Sequence, residues 1–203
     1  MTQVKICGIT RAEDAQLCAS LGADFIGFVF ARSSPRCLTP ERAAEIVAAL
    51  DPASRPRIVG VFRDERPHEI ARIARLVPLD FAQLHGDESD ADVAAIGIPA
   101  IKALRVHDTL PEADAFPSAP WLLFDTWDPR GGGSGRTFDW SLLARYDRSR
   151  PFFLAGGINP ENVGSATATS RPHAIDVSSG VESAPGIKDA AKLRLLFERV
   201  RQS

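Results

Sequence analysis

The sequence has little excess charge, little cysteine and no long apolar run, and each shortage excludes something. Its 24 Lys+Arg against 26 Asp+Glu leave a formal net charge of −2. No global field therefore draws the chain to nucleic acid or to an anionic membrane, and an anionic ligand has to be met by a few local groups. The three cysteines, Cys7, Cys18 and Cys37, are an odd number without metal-ligand spacing. They read as reduced thiols in a cytoplasmic setting and argue against a disulfide framework; no metal site is expected. The opening MTQVKICGIT lacks a signal-like apolar stretch, and no run reaches the ~18 apolar residues of a membrane span. These features lead us to expect a soluble intracellular protein. At 203 residues the chain can bury a sizeable core without staples, and no composition shift marks a boundary. Residues 1–203 are expected to form one domain.

What the sequence does have is rhythm. Short runs rich in Val, Ile and Phe recur at 4–9, 25–30, 57–62, 81–85, 100–106, 121–126, 152–156 and 174–178. Most are apolar on both faces, as strands buried in a parallel sheet are. Helix punctuation lies between them. Thr10-Arg11-Ala12-Glu13 reads as a capping box with Gly22 as the stop, and Thr39-Pro40 and Asn159-Pro160 each set a capping residue before a proline at the first helical position. The segment 188–201 has the pattern of an amphipathic helix. Alternation alone does not separate a closed barrel from a doubly wound open sheet. Eight strands, each followed by a helix, at roughly 25 residues per unit with none to spare, favour an α/β fold of the (β/α)8 TIM barrel type. A faint echo, HGDES at 85–89 and SGVES at 179–183, fits either coincidence or a duplicated half-barrel.

Barrel enzymes carry their chemistry at the C-terminal ends of the strands and in the loops that follow. Two glycine loops there, AGGINP at 155–160 and SSGVE at 178–182, follow the last two strands, where backbone N–H groups can cradle a phosphate. Cys7 ends strand one and Asp125 ends strand six, so in barrel order they flank those loops. One thiol and one carboxyl on either side of a phosphate site form an arrangement for moving protons on a sugar phosphate. As a base, Cys7 needs local positive charge, since a free thiol titrates near 8.5, and Lys5 on the same strand face is a source. Arg36 has the fork to hold a substrate carboxylate, although it also fits a solvated loop arginine. His85 reads as a hydrogen-bonded structural histidine with a second acid–base role left open. Lys102 and Asp176, charged within strands, are expected to pair with each other or with Lys5 inside the barrel mouth. Cys18 falls on the apolar face of the first helix. The glycine run 131–135 fits neither a Walker loop nor a dinucleotide fingerprint and reads as a flexible cover.

These pieces in this order resemble the phosphoribosylanthranilate isomerase family of tryptophan biosynthesis. The matching segments are KICGIT (5–10), GFVF with SSPR (27–36), QLHG (83–86), IKA (101–103), FDT (124–126), GGSG (132–135), LAGGINPENV (154–163), and DVSSGVE with PGIKD (176–189). The resemblance implies a cofactor-free Amadori rearrangement of N-(5-phosphoribosyl)anthranilate, a phosphorylated aminosugar, to a carboxyphenylamino-deoxyribulose phosphate. It further implies Asp125 as general acid, Cys7 as general base, Arg36 on the anthranilate carboxylate, and Gly156, Gly157, Ser179 and Gly180 on the phosphate. No nucleic-acid or membrane partner is expected, and both monomer and homodimer stay open. Other readings have their own requirements. A non-catalytic phosphate-binding barrel needs neither Cys7 nor Asp125, and a cysteine hydrolase needs a relay partner beyond His85. A related barrel isomerase serving histidine and tryptophan synthesis has an aspartate where this chain has Cys7.

Overall fold

The computed structural model describes residues 2–127 and 135–202. Its parallel strands are β1 (Gln3–Cys7), β2 (Phe25–Val29), β3 (Arg57–Phe62), β4 (Phe81–Leu84), β5 (Ala100–Val106), β6 (Trp121–Thr126), β7 (Phe152–Leu154) and β8 (Ala174–Val177), and they close in sequence order into a barrel. The closing pair sets Lys5 of β1 opposite Asp176 of β8. The expected (β/α)8 TIM barrel is the observed fold, and each strand lies within two residues of its expected bounds. Several expected strands run slightly long at the C-terminal rim. Gly8 (φ 73°) and Gly156 (φ 84°) show why: there the chain leaves extended geometry for the left-handed region that glycine tolerates.

Alternation along the strands sorts the side chains. Phe25, Val59, Ile101, Leu123 and Phe153 fill the barrel, while Ile26, Ile58, Leu122, Phe124 and Phe152 pack outward under the helices. The interior is sealed low down by rings. Phe25 lies 5.1 Å from Phe153 and 5.9 Å from Phe81, with the Arg57 guanidinium 3.8 Å above it. Burying strands on both faces explains their near-continuous apolar character, and the aromatic floor closes the barrel below its C-terminal mouth.

The helices are α1 (Ala12–Leu21), α2 (Pro40–Ala48), α3 (Pro67–Leu76), α4 (Asp90–Ala95), α5 (Val163–Ser170) and α6 (Ala190–Arg201). Gly22 ends α1 in the left-handed conformation, and the Thr39 hydroxyl caps α2 by accepting from the Arg42 N–H. Three expectations fail. The Thr10 capping box does not form, because the Thr10 hydroxyl donates across to the Gly186 carbonyl and α1 starts after Arg11 without a side-chain cap. Asn159 does not open α5. Its Oδ1 accepts from the N–H groups of Glu161 and Asn162, 3.0 Å each, closing a turn ahead of the helix. The connections after β5 and β6 carry only 3-10 turns, at Ala113–Ala115 and Trp140–Arg145, among the described residues. Pro111, Pro117 and Pro120 crowd the first of these segments and interrupt any longer helix. A short antiparallel pair, β9 (Glu182–Ala184) with β10 (Ile187–Lys188), precedes α6. No helix among the described residues is long and apolar enough to cross a membrane.

Candidate active site

At the C-terminal mouth a cavity of about 580 Å³ opens, a size typical of small-ligand sites. Cys7, Arg36, Asp125, Gly156, Gly157 and Ser179 all line it. Six of the seven residues singled out in the sequence thus converge. Gly180 is the exception. It lies outside the lining and packs its Cα against the Ile158 carbonyl and Asn159, so a Cβ there would collide with that backbone. Its lack of a side chain lets the loops after β7 and β8 touch. Gly157 (φ 68°) likewise passes against the Arg136 backbone. The N–H groups of Gly156, Gly157, Ser179 and Gly180 meet no acceptor among the described residues, which leaves donors available in two adjoining loops. The glycine run expected as a cover lies, apart from Gly135, outside the described residues.

The thiol end of the cavity is built by β1, β2 and β8. Gly27 on β2 makes room there, since a Cβ at that position would stand 2.9 Å from Cys7 Sγ and 3.2 Å from Lys5 Nζ. Lys5, wholly buried, donates to Asp176 Oδ2 at 2.8 Å. Asp176 Oδ1, also buried, has no partner among the described residues, and Asp176 lines the cavity. Lys5 thus takes Asp176, one of the two pairings expected. Burial pushes the Cys7 thiol up, and the Lys5 and Lys188 ammoniums pull against it without prevailing. Lys5 is itself drawn down by burial, but Asp176 and Cys7 more than restore it, so its charge is held. The lysine acts on Cys7 in the expected direction, yet desolvation and the Asp176 carboxylate outweigh it.

Arg36 is not a solvated loop residue. Its Nε and one terminal nitrogen grip both carboxylate oxygens of Glu182, at 2.9 and 2.6 Å, with only 16% of its side chain exposed. Glu182 also accepts from Lys188 Nζ at 2.8 Å, and Lys188 reaches the carbonyls of Cys7 and Ser178 at 2.6 and 3.2 Å. This buried network ties the loop after β2 to the ends of β1 and β8. Glu182 and Lys188 were not picked out in the sequence as site-forming; the only signal was a charged pair within an otherwise small and apolar stretch. Burial pushes the Glu182 carboxyl up, but Arg36 and Lys188 prevail and hold it below the usual carboxylate range. The stability drawn from this carboxylate is therefore full above its unfolded value of about 4.3 and is lost as pH falls through the lower folded value. Denaturant melts of wild type and Glu182→Gln should differ by about 3 kcal/mol at neutral pH, the scale for breaking a buried pair on one side. The gap should narrow progressively as pH falls below about 5; a gap independent of pH would contradict the assignment.

On the opposite rim Asp125 is the penultimate residue of β6. His85 Nε2 stands 3.0 Å from Asp125 Oδ2, and His85 Nδ1 stands 3.0 Å from Gln83 Nε2. His85 is hydrogen-bonded on both nitrogens, as a structural histidine would be, but its partner is the candidate acid. Since β6, β7, β8 and β1 are consecutive around the barrel, Asp125 and Cys7 flank the two glycine loops. Lys102 does not enter the mouth. Its neighbours Ile101 and Ala103 point into the barrel, so alternation turns Lys102 outward, where it meets Glu88 at 2.7 Å and the Gly86 carbonyl at 2.8 Å. Cys18 is buried against the outer core, as expected, with its thiol pushed up to about 12 by burial. Among the described residues no group of three or more His, Cys, Asp or Glu is placed to hold a metal ion.

A family model described as N-(5'-phosphoribosyl)anthranilate isomerase matches residues 4–199. The chain belongs to the phosphoribosylanthranilate isomerase family. A family member from Pseudomonas fluorescens (strain Pf0-1) is 49% identical over 201 residues, spanning 97% of each chain. The crystal structure of the Thermus thermophilus phosphoribosyl anthranilate isomerase superposes with a TM-score of 0.89 at 45% identity, over 99% of each chain. A third relative, solved in complex with reduced 1-(o-carboxyphenylamino)-1-deoxyribulose 5-phosphate, gives a TM-score of 0.85 at 40% identity over the full length of both chains. Membership in the isomerase family thus covers every strand that contributes to the cavity.

Proposed function

We propose that this chain rearranges N-(5'-phosphoribosyl)anthranilate to 1-(2-carboxyphenylamino)-1-deoxyribulose 5-phosphate, with Asp125 as general acid and Cys7 as general base. The observation that carries the assignment of roles is the placement of these two groups on either side of two glycine loops in one cavity. The family's reaction has the matching demands. Asp125 gives its proton to the furanose ring oxygen, and the C1–O bond breaks as the anilino nitrogen lone pair forms an iminium. Cys7, as thiolate, takes the C2 proton, and the C2–H electrons become the C1–C2 double bond of an enolamine. Ketonisation then adds a proton at C1 and releases the one on the C2 hydroxyl, so protons balance and nothing is oxidised overall. The iminium also addresses the raised thiol, because a cation formed beside Cys7 favours the thiolate at the moment the base is needed.

Binding falls to the remaining residues. The free N–H groups of Gly156, Gly157, Ser179 and Gly180 suit the phosphate dianion. Arg36 presents its remaining terminal nitrogen to the anthranilate carboxylate while Glu182 fixes the guanidinium plane. In Arg36→Met, Glu182 keeps Lys188 as its partner, so the variant should fold. Its KM should rise about tenfold or more with turnover nearly unchanged, the signature of lost uniform binding; a fall in turnover alone would remove Arg36 from the clamp role.

The direct test generates the substrate in situ and follows its fluorescence on adding purified protein without metal or cofactor. Rapid conversion is expected. A folded protein that binds the reduced product analogue yet converts nothing would instead be a phosphate-binding barrel.

A further inference from the structure

The acid step places an unusual demand on Asp125, since an ordinary aspartate carries no proton at neutral pH. The only side chain hydrogen-bonded to it among the described residues is His85, through Nε2, and His85 Nδ1 meets the amide of Gln83. Gln83 is 1% exposed, projects from β4 into the barrel, and its Oε1 has no partner among the described residues. Among the described residues no partner on the far side of the amide fixes its orientation, so the side it turns to His85 can follow the state of His85.

We propose that Asp125 and His85 share one transferable proton and that Gln83 is the positioning residue that admits it. This rests on Asp125 being the acid. With the amide N–H toward Nδ1, that nitrogen is an acceptor. The neutral imidazole then carries its hydrogen on Nε2 and donates it to a carboxylate, and the pair has nothing to give. A half-turn of the amide presents Oε1 instead, which accepts from Nδ1–H. The pair then holds one proton more, as carboxyl O–H donating to Nε2 or as imidazolium donating to carboxylate. Either form delivers that proton through Asp125 to the ring oxygen: the Asp125 O–H electrons stay on the carboxylate, and the oxygen lone pair forms the new O–H bond. The proton released from the C2 hydroxyl at ketonisation reloads the pair. Gln83 thereby selects between an empty and a loaded acid by way of His85.

Other charged groups face the same cavity. Arg105 on β5 donates to the His85 carbonyl at 3.0 Å and lies 3.5 Å from Asp87. Among the described residues, Arg63, Arg136, Arg36, Asp176 and the titratable Cys7 thiol also line it. All remain in the variants that test the proposal. Gln83→Glu sets a carboxylate against Nδ1 and holds the proton on, so one limb of the kcat–pH profile should move up by about one unit, the scale for an adjacent opposite charge. Gln83→Met offers Nδ1 no acceptor, favours the empty form, and should move the same limb down with about a tenfold loss at neutral pH. A purely structural Gln83 would lower turnover with both limbs unmoved, and that result overturns the proposal. Should either variant fail to fold, the 15N spectrum of labelled histidine in wild type reads the state directly, with His85→Gln identifying the signal among the four histidines. Nδ1 should be protonated below the limb and bare above it. Nδ1 in one state throughout would refute the switch. Failure here with an inactive Asp125→Asn leaves the proposed function intact, whereas an active Asp125→Asn removes its acid.

Discussion

Asp125→Asn should lower turnover by about 10²–10⁴-fold, the contribution of one positioned proton transfer, while affinity for the reduced product analogue stays within a few-fold of wild type. Asparagine keeps the shape of the side chain, and its amide can still hydrogen-bond to His85 Nε2, which stands 3.0 Å from Asp125 Oδ2. What it loses is the proton for the ring oxygen. Ring opening then depends on water, which is unpositioned. The binding groups lie elsewhere on the rim, in the loops after β2, β7 and β8, so ground-state affinity has no reason to change. Steady-state fluorescence gives the turnover and an analogue titration gives the affinity. Turnover within tenfold of wild type would show that another group supplies the proton.

The barrel was legible because strands buried on both faces leave long Val, Ile and Phe runs that solvent-exposed segments do not carry. Its closure was not written in any single residue; it followed from strand number and chain length. What alternation hides is direction. Lys102 reads as a mouth residue until Ile101 and Ala103 are seen to face inward, which turns it out to Glu88. The helix starts at Thr10 and Asn159 failed for a related reason. Their side chains have the chemistry of caps, but tertiary partners at Gly186 and a turn at 159–162 claimed them first. Cys7, Asp125 and the glycines were visible because a barrel's chemistry is confined to strand ends. Glu182 and Lys188 were not, since the Arg36–Glu182 pair that anchors their network spans 146 residues of sequence and exists only in three dimensions. The HGDES and SGVES echo also acquires content in the structure. Its glutamates, Glu88 and Glu182, are both buried, and each accepts from a buried lysine, Lys102 and Lys188.

The second large effect belongs to the base. Cys7→Ser exchanges a thiol for a hydroxyl of nearly the same shape beside Lys5, and it should likewise lose about 10²–10⁴-fold in turnover with analogue binding preserved. Burial already holds the Cys7 thiol above its ordinary range in the free protein, so the thiolate forms at a cost that the Lys5 and Lys188 charges and the substrate iminium reduce. A serine hydroxyl is far less acidic, and the same cations leave it protonated. The sign of the pH dependence separates this account from a packing defect. Because the folded thiol titrates higher than a free one, the wild-type kcat/KM profile should contain a limb displaced to alkaline pH relative to a free cysteine. Cys7→Ser should lose that limb together with the rate, whereas a variant that merely repacks β1 would keep both limbs at a lower plateau. Near-wild-type turnover in Cys7→Ser would assign proton abstraction at C2 to another group, and Asp176, which lines the same cavity and whose buried Oδ1 has no partner among the described residues, would be the next residue to replace.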